Sequence, residues 1–363
     1  MKLKLPLADP AVNFYSSVLA VFAGLLAGFL IMIITNPGQS LSGFAVMLTS
    51  GFSSMQNIGQ ILYFATPVIM TGLSVGFSAK AGLFNIGASG QFITGAFAAV
   101  FIGVRWDFLP GHLHWITALF AAILAGALWG SIPGLLKAFF NVNEVISCIM
   151  LNYIGTFLVN FLITQTIFDA MLNQSMRVMD SAILPKMGMD NIFKEDFRVS
   201  SVNCGIIIAV IAAVIIYFIL EKTTFGYELK TCGCNREAAL YAGINEKRSV
   251  ILSMTISGAL AGLGGALLYL AGAGKGIITI DSLAPEGFNG IPAALLALNN
   301  PLGIIITGFF IAHLNVGGFN MQLYNFAPQI IEIIIAVIIY FSAFVLFVKG
   351  FINSNRKNKR GGL

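Results

Sequence analysis

Residues 203–220 read NCGIIIAVIAAVIIYFIL and are followed at once by EKTTFGYELKTCGCNREAALYAGINEKRS, residues 221–249. The first stretch carries no charge over a length that, as a helix, crosses much of a ~30 Å hydrocarbon core. The second holds nine formal charges. A border this abrupt is what a membrane surface imposes, because a charge in lipid is costly while a charge in water is not.

The same alternation runs through the chain. Of its 363 residues 57% are hydrophobic and 10% charged, against roughly a quarter charged in a soluble domain, and the mean hydropathy is +0.88. Lipid offers no partner for backbone N–H and C=O groups, so runs of this kind must close their hydrogen bonds as helices. The expectation is an all-α polytopic helical membrane protein, one transmembrane domain over 1–363. About ten spans fall near 16–35, 61–79, 83–104, 115–137, 145–168, 203–220, 250–271, 290–298, 302–316 and 327–348. The run at 290–298 is short and preceded by Gly and Pro, which marks a broken span. Segment 40–58 is apolar but interrupted by Ser, Thr, Gln and Asn, and is expected to be an interfacial connector.

Lys and Arg in short loops are retained on the cytoplasmic side of a membrane. With the amino terminus inside, fourteen of the twenty basic residues become cytoplasmic, among them Lys80, Lys137, Lys222, Lys230 and Arg236. Both termini are then cytoplasmic, 169–202 is an external loop, and 349–363 is a basic cytoplasmic tail. The net charge of +5 sits at membrane borders, so lipid headgroups rather than nucleic acid are its expected partner. No small-x-small cleavage site follows the first apolar run, which is expected to remain as an anchor. Cys148, Cys204, Cys232 and Cys234 fit neither a disulfide framework nor a zinc site, and no metal or resident cofactor is expected.

Polar residues at membrane depth cluster in three places. Phe84-Asn85-Ile86-Gly87-Ala88-Ser89-Gly90-Gln91 opens one span, Asn143 and Glu144 open another that contains Asn152, and Glu286-Gly287-Phe288-Asn289-Gly290-Ile291-Pro292 leads into the broken one. Such groups either glue helices together or border a pathway. Phe84-Asn85 and Phe288-Asn289 open spans of opposite direction, the pattern of an inverted repeat over spans two to five and seven to ten. Gly126, Gly130 and Gly134, and Gly258 with Gly262, repeat at four-residue spacing and are expected at helix contacts. His313 and Glu332 have no sequence-neighbour partner and are read as making local pairings.

Nothing in the chain suggests catalysis. The metalloprotease and nucleophile-elbow motifs are missing. Gly272-Ala-Gly-Lys-Gly276 lacks the leading Gly and the final Ser or Thr of a phosphate loop. The charged stretch does contain a short helix signature. Asn235 is a cap, Glu237 suits the first turn, Ala238, Ala239, Leu240 and Tyr241 are helix-compatible, and Gly243 ends the helix in a left-handed turn. On residues alone this is equally a solvated connector.

Gly226-Tyr-Glu-Leu-Lys230 together with Asn235 and Ala238-Ala-Leu-Tyr-Ala-Gly-Ile244 resembles the ATPase-contacting loop of bacterial ABC importer permeases. Gly82-Leu-Phe-Asn-Ile-Gly87, Gly90-Gln91, Trp129-Gly-Ser-Ile-Pro-Gly134, Asn143-Glu-Val-Ile146, Ile149-Met-Leu-Asn-Tyr-Ile154, Ser257-Gly-Ala-Leu-Ala-Gly262 and Asn300-Pro-Leu-Gly303 are similar to the nucleoside-type members of that group. The group also serves ribose-type sugars and branched-chain amino acids. Ser89 departs from it where an acidic residue is frequent, and Pro292 where Ala and Val are.

The resemblance implies a non-catalytic subunit importing nucleosides across a bacterial plasma membrane, with ribose, simple sugars or branched-chain amino acids as alternatives. It implies a second related permease, a cytoplasmic ATPase that binds ATP-Mg, and an external substrate-binding lipoprotein or periplasmic protein. It makes 221–249 the coupling loop, with Asn235, Glu237, Ala238, Ala239, Leu240, Tyr241 and Gly243 docking the ATPase. Phe84, Asn85, Ser89, Gln91, Asn152, Phe288 and Asn289 become the candidate pathway. A secondary carrier would need carboxylates within the bundle, whereas Glu144, Asp281, Glu286 and Glu332 all fall at span ends.

Overall fold

Several helices begin where the sequence supplies a capping side chain, and several stop at Asn or Gly. A computed structural model describes residues 10–343 except 196–197, 273 and 328, so the basic tail at 349–363 lies outside the described residues. In chain order the helices are α1 (Pro10–Thr35), α2 (Ser40–Thr49), α3 (Met55–Lys80), α4 (Ala88–Arg105), α5 (Gly111–Phe140), α6 (Glu144–Thr166) and α7 (Met189–Ile192). They continue as α8 (Gly205–Lys222), α9 (Thr224–Cys234), α10 (Arg236–Tyr241), α11 (Glu246–Tyr269), α12 (Gly290–Leu296), α13 (Pro301–Met321) and α14 (Gln329–Ala343). Side chains of Ser54, Asn143, Thr223, Asn235, Asn245 and Asn300 each accept from a first-turn backbone N–H of the helix that follows, satisfying donors that a helix start leaves open.

Seven described helices, α3, α4, α5, α6, α8, α11 and the α13 segment, are long and apolar enough to cross a bilayer. They fall on expected spans two to seven and nine. Spans one and ten fall on α1, 26 residues long, and on α14, described over Gln329–Ala343. The expected span at 290–298 is α12, seven residues long, about 10 Å of helix and too short to cross. Seven of the ten expected spans are thus full-length apolar helices among the described residues. Segment 40–58 is helical over α2 and, rather than lying apart from the bundle, buries Met47 completely, leaving no room for a Cβ at Gly317 of α13.

The core is one large apolar cluster through α3, α4, α5, α8, α11 and α13, with a second where α1, α2, α13 and α14 meet. Glycines set the closest crossing. A Cβ on Gly130 of α5 would lie 2.8 Å from the Gly258 Cα of α11, and one on Gly262 would lie 2.9 Å from the Gly126 Cα. Without a hydrophobic drive between helices in lipid, such backbone contact supplies the attraction by dispersion.

Helix ends sort into two poles. At one, the Gly103 carbonyl accepts from the Met179 N–H, the Leu270 carbonyl accepts from the Leu184 N–H, and Gly59 abuts Phe193 and Ser200. The connector between α6 and α8 covers this pole with two antiparallel strand pairs, Phe168–Asp169 with Gln174–Ser175 and Lys194–Glu195 with Arg198–Val199. The other pole holds the ends of α3, α5 and α8 together with α9 and α10, where Gly82 meets Gly233.

Candidate functional site

After Tyr269 the chain leaves helical geometry. Gly272 and Gly274 both take φ of +71°, which favours residues without a Cβ, and Pro285 and Gly287 form a 3-10 turn. Helix resumes only at Gly290, packed so tightly on Thr71 and Gly72 in the middle of α3 that no Cβ would fit. Among the described residues, 271–289 therefore descend from one pole to mid-bundle with no helical hydrogen bonding beyond the turn at 285–289. Irregular backbone at that depth is tolerated where protein buries it or where it borders water.

It borders a cavity of about 830 Å³. Gln56, Asn57, Gln60 and Phe64 come from the first turns of α3, and Pro285, Glu286, Phe288 and Asn289 from the irregular segment. Asn315, Phe319 and Asn320 come from the last turns of α13, and Glu332 from the first turn of α14. Six carboxamides, two carboxylates and three phenyl rings thus face one space, whose size falls in the roughly 300–1,000 Å³ range of small-molecule sites. Asn57 is committed, donating from Nδ2 to the Ser50 carbonyl at 2.7 Å. Glu286 pairs with Lys275 at 2.9 Å. Among the described residues, Gln56, Gln60, Asn289, Asn315 and Asn320 have no side-chain hydrogen bond, and Glu332 no ion pair.

The seven candidate pathway residues divide. Phe288 and Asn289 line the cavity. Ser89 stands directly behind them: its Oγ donates to the Ala284 carbonyl at 2.9 Å, and Gly287 has no space for a Cβ against its backbone. Asn85, Gln91 and Asn152 are buried and spend their amides inside the bundle. Asn85 Nδ2 donates to Ser257 Oγ at 2.7 Å and Gln91 Oε1 at 2.8 Å, while its Oδ1 accepts from the Gly87 N–H at 3.0 Å. Asn152 takes the Gly90 N–H at 2.8 Å and donates to the Ile86 carbonyl at 3.0 Å. Phe84 packs against the main core. These residues hold the turn between α3 and α4, and that turn supports the cavity wall.

At the opposite pole the short charged helix has the expected form. Asn235 Oδ1 accepts from the Ala238 N–H at 3.1 Å, Gly243 takes φ of +77°, and the Ile244 N–H donates to the Ala239 carbonyl. Ala239, expected to dock the ATPase, is fully buried; Leu240 is 56% and Tyr241 94% exposed. Asn235, Glu237, Ala238 and Gly243 are also exposed. The preceding residues, expected as loop, form α9.

Several cavity residues are absent from the sequence-level candidates. Gln56 and Gln60, and Asn315 and Phe319, stand four apart at helix ends, so each pair shares a face; that spacing is the signal available in the sequence. Glu332, expected in a local pairing, opens onto the cavity instead. His313 does pair locally, with its Nε2 3.0 Å from the Leu48 carbonyl and its ring 4.6 Å from Phe52. Of the other carboxylates, Glu144 pairs with Lys137 at 3.0 Å.

Residues 57–343 match the family described as branched-chain amino acid transport system / permease component. The guanosine ABC transporter permease protein NupP of Bacillus subtilis is 38% identical, over 90% of this chain and 92% of its own. The nucleoside ABC transporter permease protein NupB of Lactococcus lactis is 34% identical over 90% of this chain and 89% of its own. The glucose ABC transporter permease protein TsgB13 of Haloferax volcanii is 32% identical over 89% and 85%. No solved structure matches the chain. The multi-pass helical architecture and these matches together make this chain a member of the branched-chain amino acid transport system permease family, a family of transport rather than catalytic subunits.

Proposed function

We propose that the chain is one permease subunit of a bacterial ABC importer that moves nucleosides inward across the plasma membrane, with both termini in the cytoplasm. The observation that carries this reading is the similarity to NupP and NupB along nearly the whole of both chains. The cavity supports it, because carboxamides can pair with base edges and ribose hydroxyls while phenyl rings stack on a base. In the proposed orientation the cavity opens outward. An external binding protein delivers substrate there, a second related permease completes the pathway, and a cytoplasmic ATPase holding ATP-Mg drives it.

Phe288 and Asn289 border the proposed pathway, and Phe84, Asn85, Ser89, Gln91 and Asn152 brace it. Glucose is the competing substrate, raised by the TsgB13 similarity. Uptake of labelled nucleosides and glucose into vesicles carrying the complete importer tests the reading. ATP-dependent nucleoside uptake is expected, and glucose uptake alone would refute it.

The ATPase contact is assigned to the exposed face of α10, with Asn235, Glu237 and Gly243 shaping the helix and buried Ala239 anchoring it. Replacing Leu240 and Tyr241 together by Asp puts charge on that face without touching the core. ATPase co-purification is expected to fall at least about tenfold, the effect of losing a central aromatic contact, with the permease's thermal unfolding unchanged. Undiminished co-purification counts against this face.

A further inference from the structure

We infer that Glu332 is the base-selecting residue of the cavity and favours guanine-type nucleosides; this rests on the nucleoside reading above. Among the described residues the carboxylate of Glu332 has no ion-pair partner, in contrast to Glu286, which Lys275 neutralises at 2.9 Å. It stands on the first turn of α14 and faces the same space as Asn289, Phe288 and Phe319. Glu332 is exposed toward that space, and the amino-terminal end of α14 favours a carboxylate there without any cation, so its oxygens stay open to a ligand.

An ionised carboxylate only accepts hydrogen bonds, through two oxygens side by side. Its best complement is a pair of adjacent donors. On the pairing edge, guanine presents N1–H beside its 2-amino group. Adenine and cytosine place an amino group beside a ring-nitrogen acceptor, and uracil sets its single N–H between two carbonyls. Carboxamides such as Asn289 can serve any of these, since each carries donors and an acceptor. They confer affinity for nucleosides in general, and Glu332 ranks them. The phenyl rings accept any base, because every base has a π-face.

The test uses the complete importer in proteoliposomes, with labelled guanosine, adenosine and uridine as probes. Glu332→Gln is expected to lower guanosine uptake about tenfold, the scale of one charge-assisted pair, while adenosine and uridine stay within about twofold. Glu332→Asp keeps the carboxylate and is expected to keep the guanosine preference. An E332Q variant that loses all three equally, or none, overturns the assignment while leaving the importer reading intact. A wild-type complex that moves no nucleoside overturns both. An independent arm needs no variant: N1-methylguanosine, which lacks the N1–H, is expected to compete with guanosine uptake at least about tenfold more weakly than unlabelled guanosine does. Equal competition refutes the assignment.

Discussion

Gly258→Ala is expected to destabilise the bundle by about 2–3 kcal/mol, and Gly258→Val to prevent it from accumulating in folded form. The reason is where the added methyl would go. α5 and α11 touch through backbone atoms, and a Cβ at Gly258 would lie 2.9 Å from the Gly130 Cα and closer still to the Gly126 carbonyl. Neither neighbour is a flexible side-chain end that can swing aside. The helices must separate, which forfeits dispersion contacts along the whole crossing, and overpacking of this kind costs about 1–3 kcal/mol per added methyl group or two. Gly111→Ala makes the same chemical change on α5 where nothing lies within 4 Å, and is expected to shift stability by less than about 0.5 kcal/mol. Thermal unfolding of both variants in the same detergent measures the difference. Equal melting temperatures would show that the crossing is not held by backbone contact.

The features that the sequence reveals are those with a local cause. Apolar runs become helices because lipid leaves the backbone no other partner, so α3, α4, α5, α6, α8, α11 and α13 are legible from their residues. The glycine ladder on α5 and α11 is legible because small residues four apart have few other uses in a membrane helix. The α10 helix is legible because Asn235 and Gly243 bracket it. α9 is not: Gly226 and Gly233 lower its intrinsic helix propensity, and it forms because Gly226 lies against the end of α8 and Gly233 against Gly82.

The cavity has no local cause. Its walls come from positions as distant as Gln56 and Glu332, and only tertiary assembly brings them together. Phe84-Asn85 and Phe288-Asn289 are nearly the same words, yet one asparagine is sealed in the bundle and the other faces the cavity. The difference lies in the neighbours. Asn85 meets Ser257 of α11 and Gln91 of α4, whereas the turn at 285–287 lies against α4 and α3 and Phe288 and Asn289 border the cavity.

Asn85→Ala and Asn289→Ala should therefore fail in different ways. The Asn85 side chain is fully buried and links three elements: α4 through Gln91, α11 through Ser257, and α3 through Ser74, whose Oγ accepts from Nδ2 at 3.2 Å. Truncation strands the Gln91 amide and the Gly87 N–H in the buried interior. Each stranded group costs about 1–3 kcal/mol, while Ser74 and Ser257 keep the 2.9 Å bond they already share. A net loss of about 3 kcal/mol is expected, seen as a lower unfolding temperature and less folded protein, with KM for nucleoside uptake unchanged in the importers that assemble. Asn289 has no such internal bonds among the described residues, so its truncation is expected to leave unfolding unchanged and raise KM several-fold, as loss of one ligand hydrogen bond does. A stable Asn85→Ala importer with raised KM would make Asn85 a substrate contact. The buried network around it would then have to open during transport.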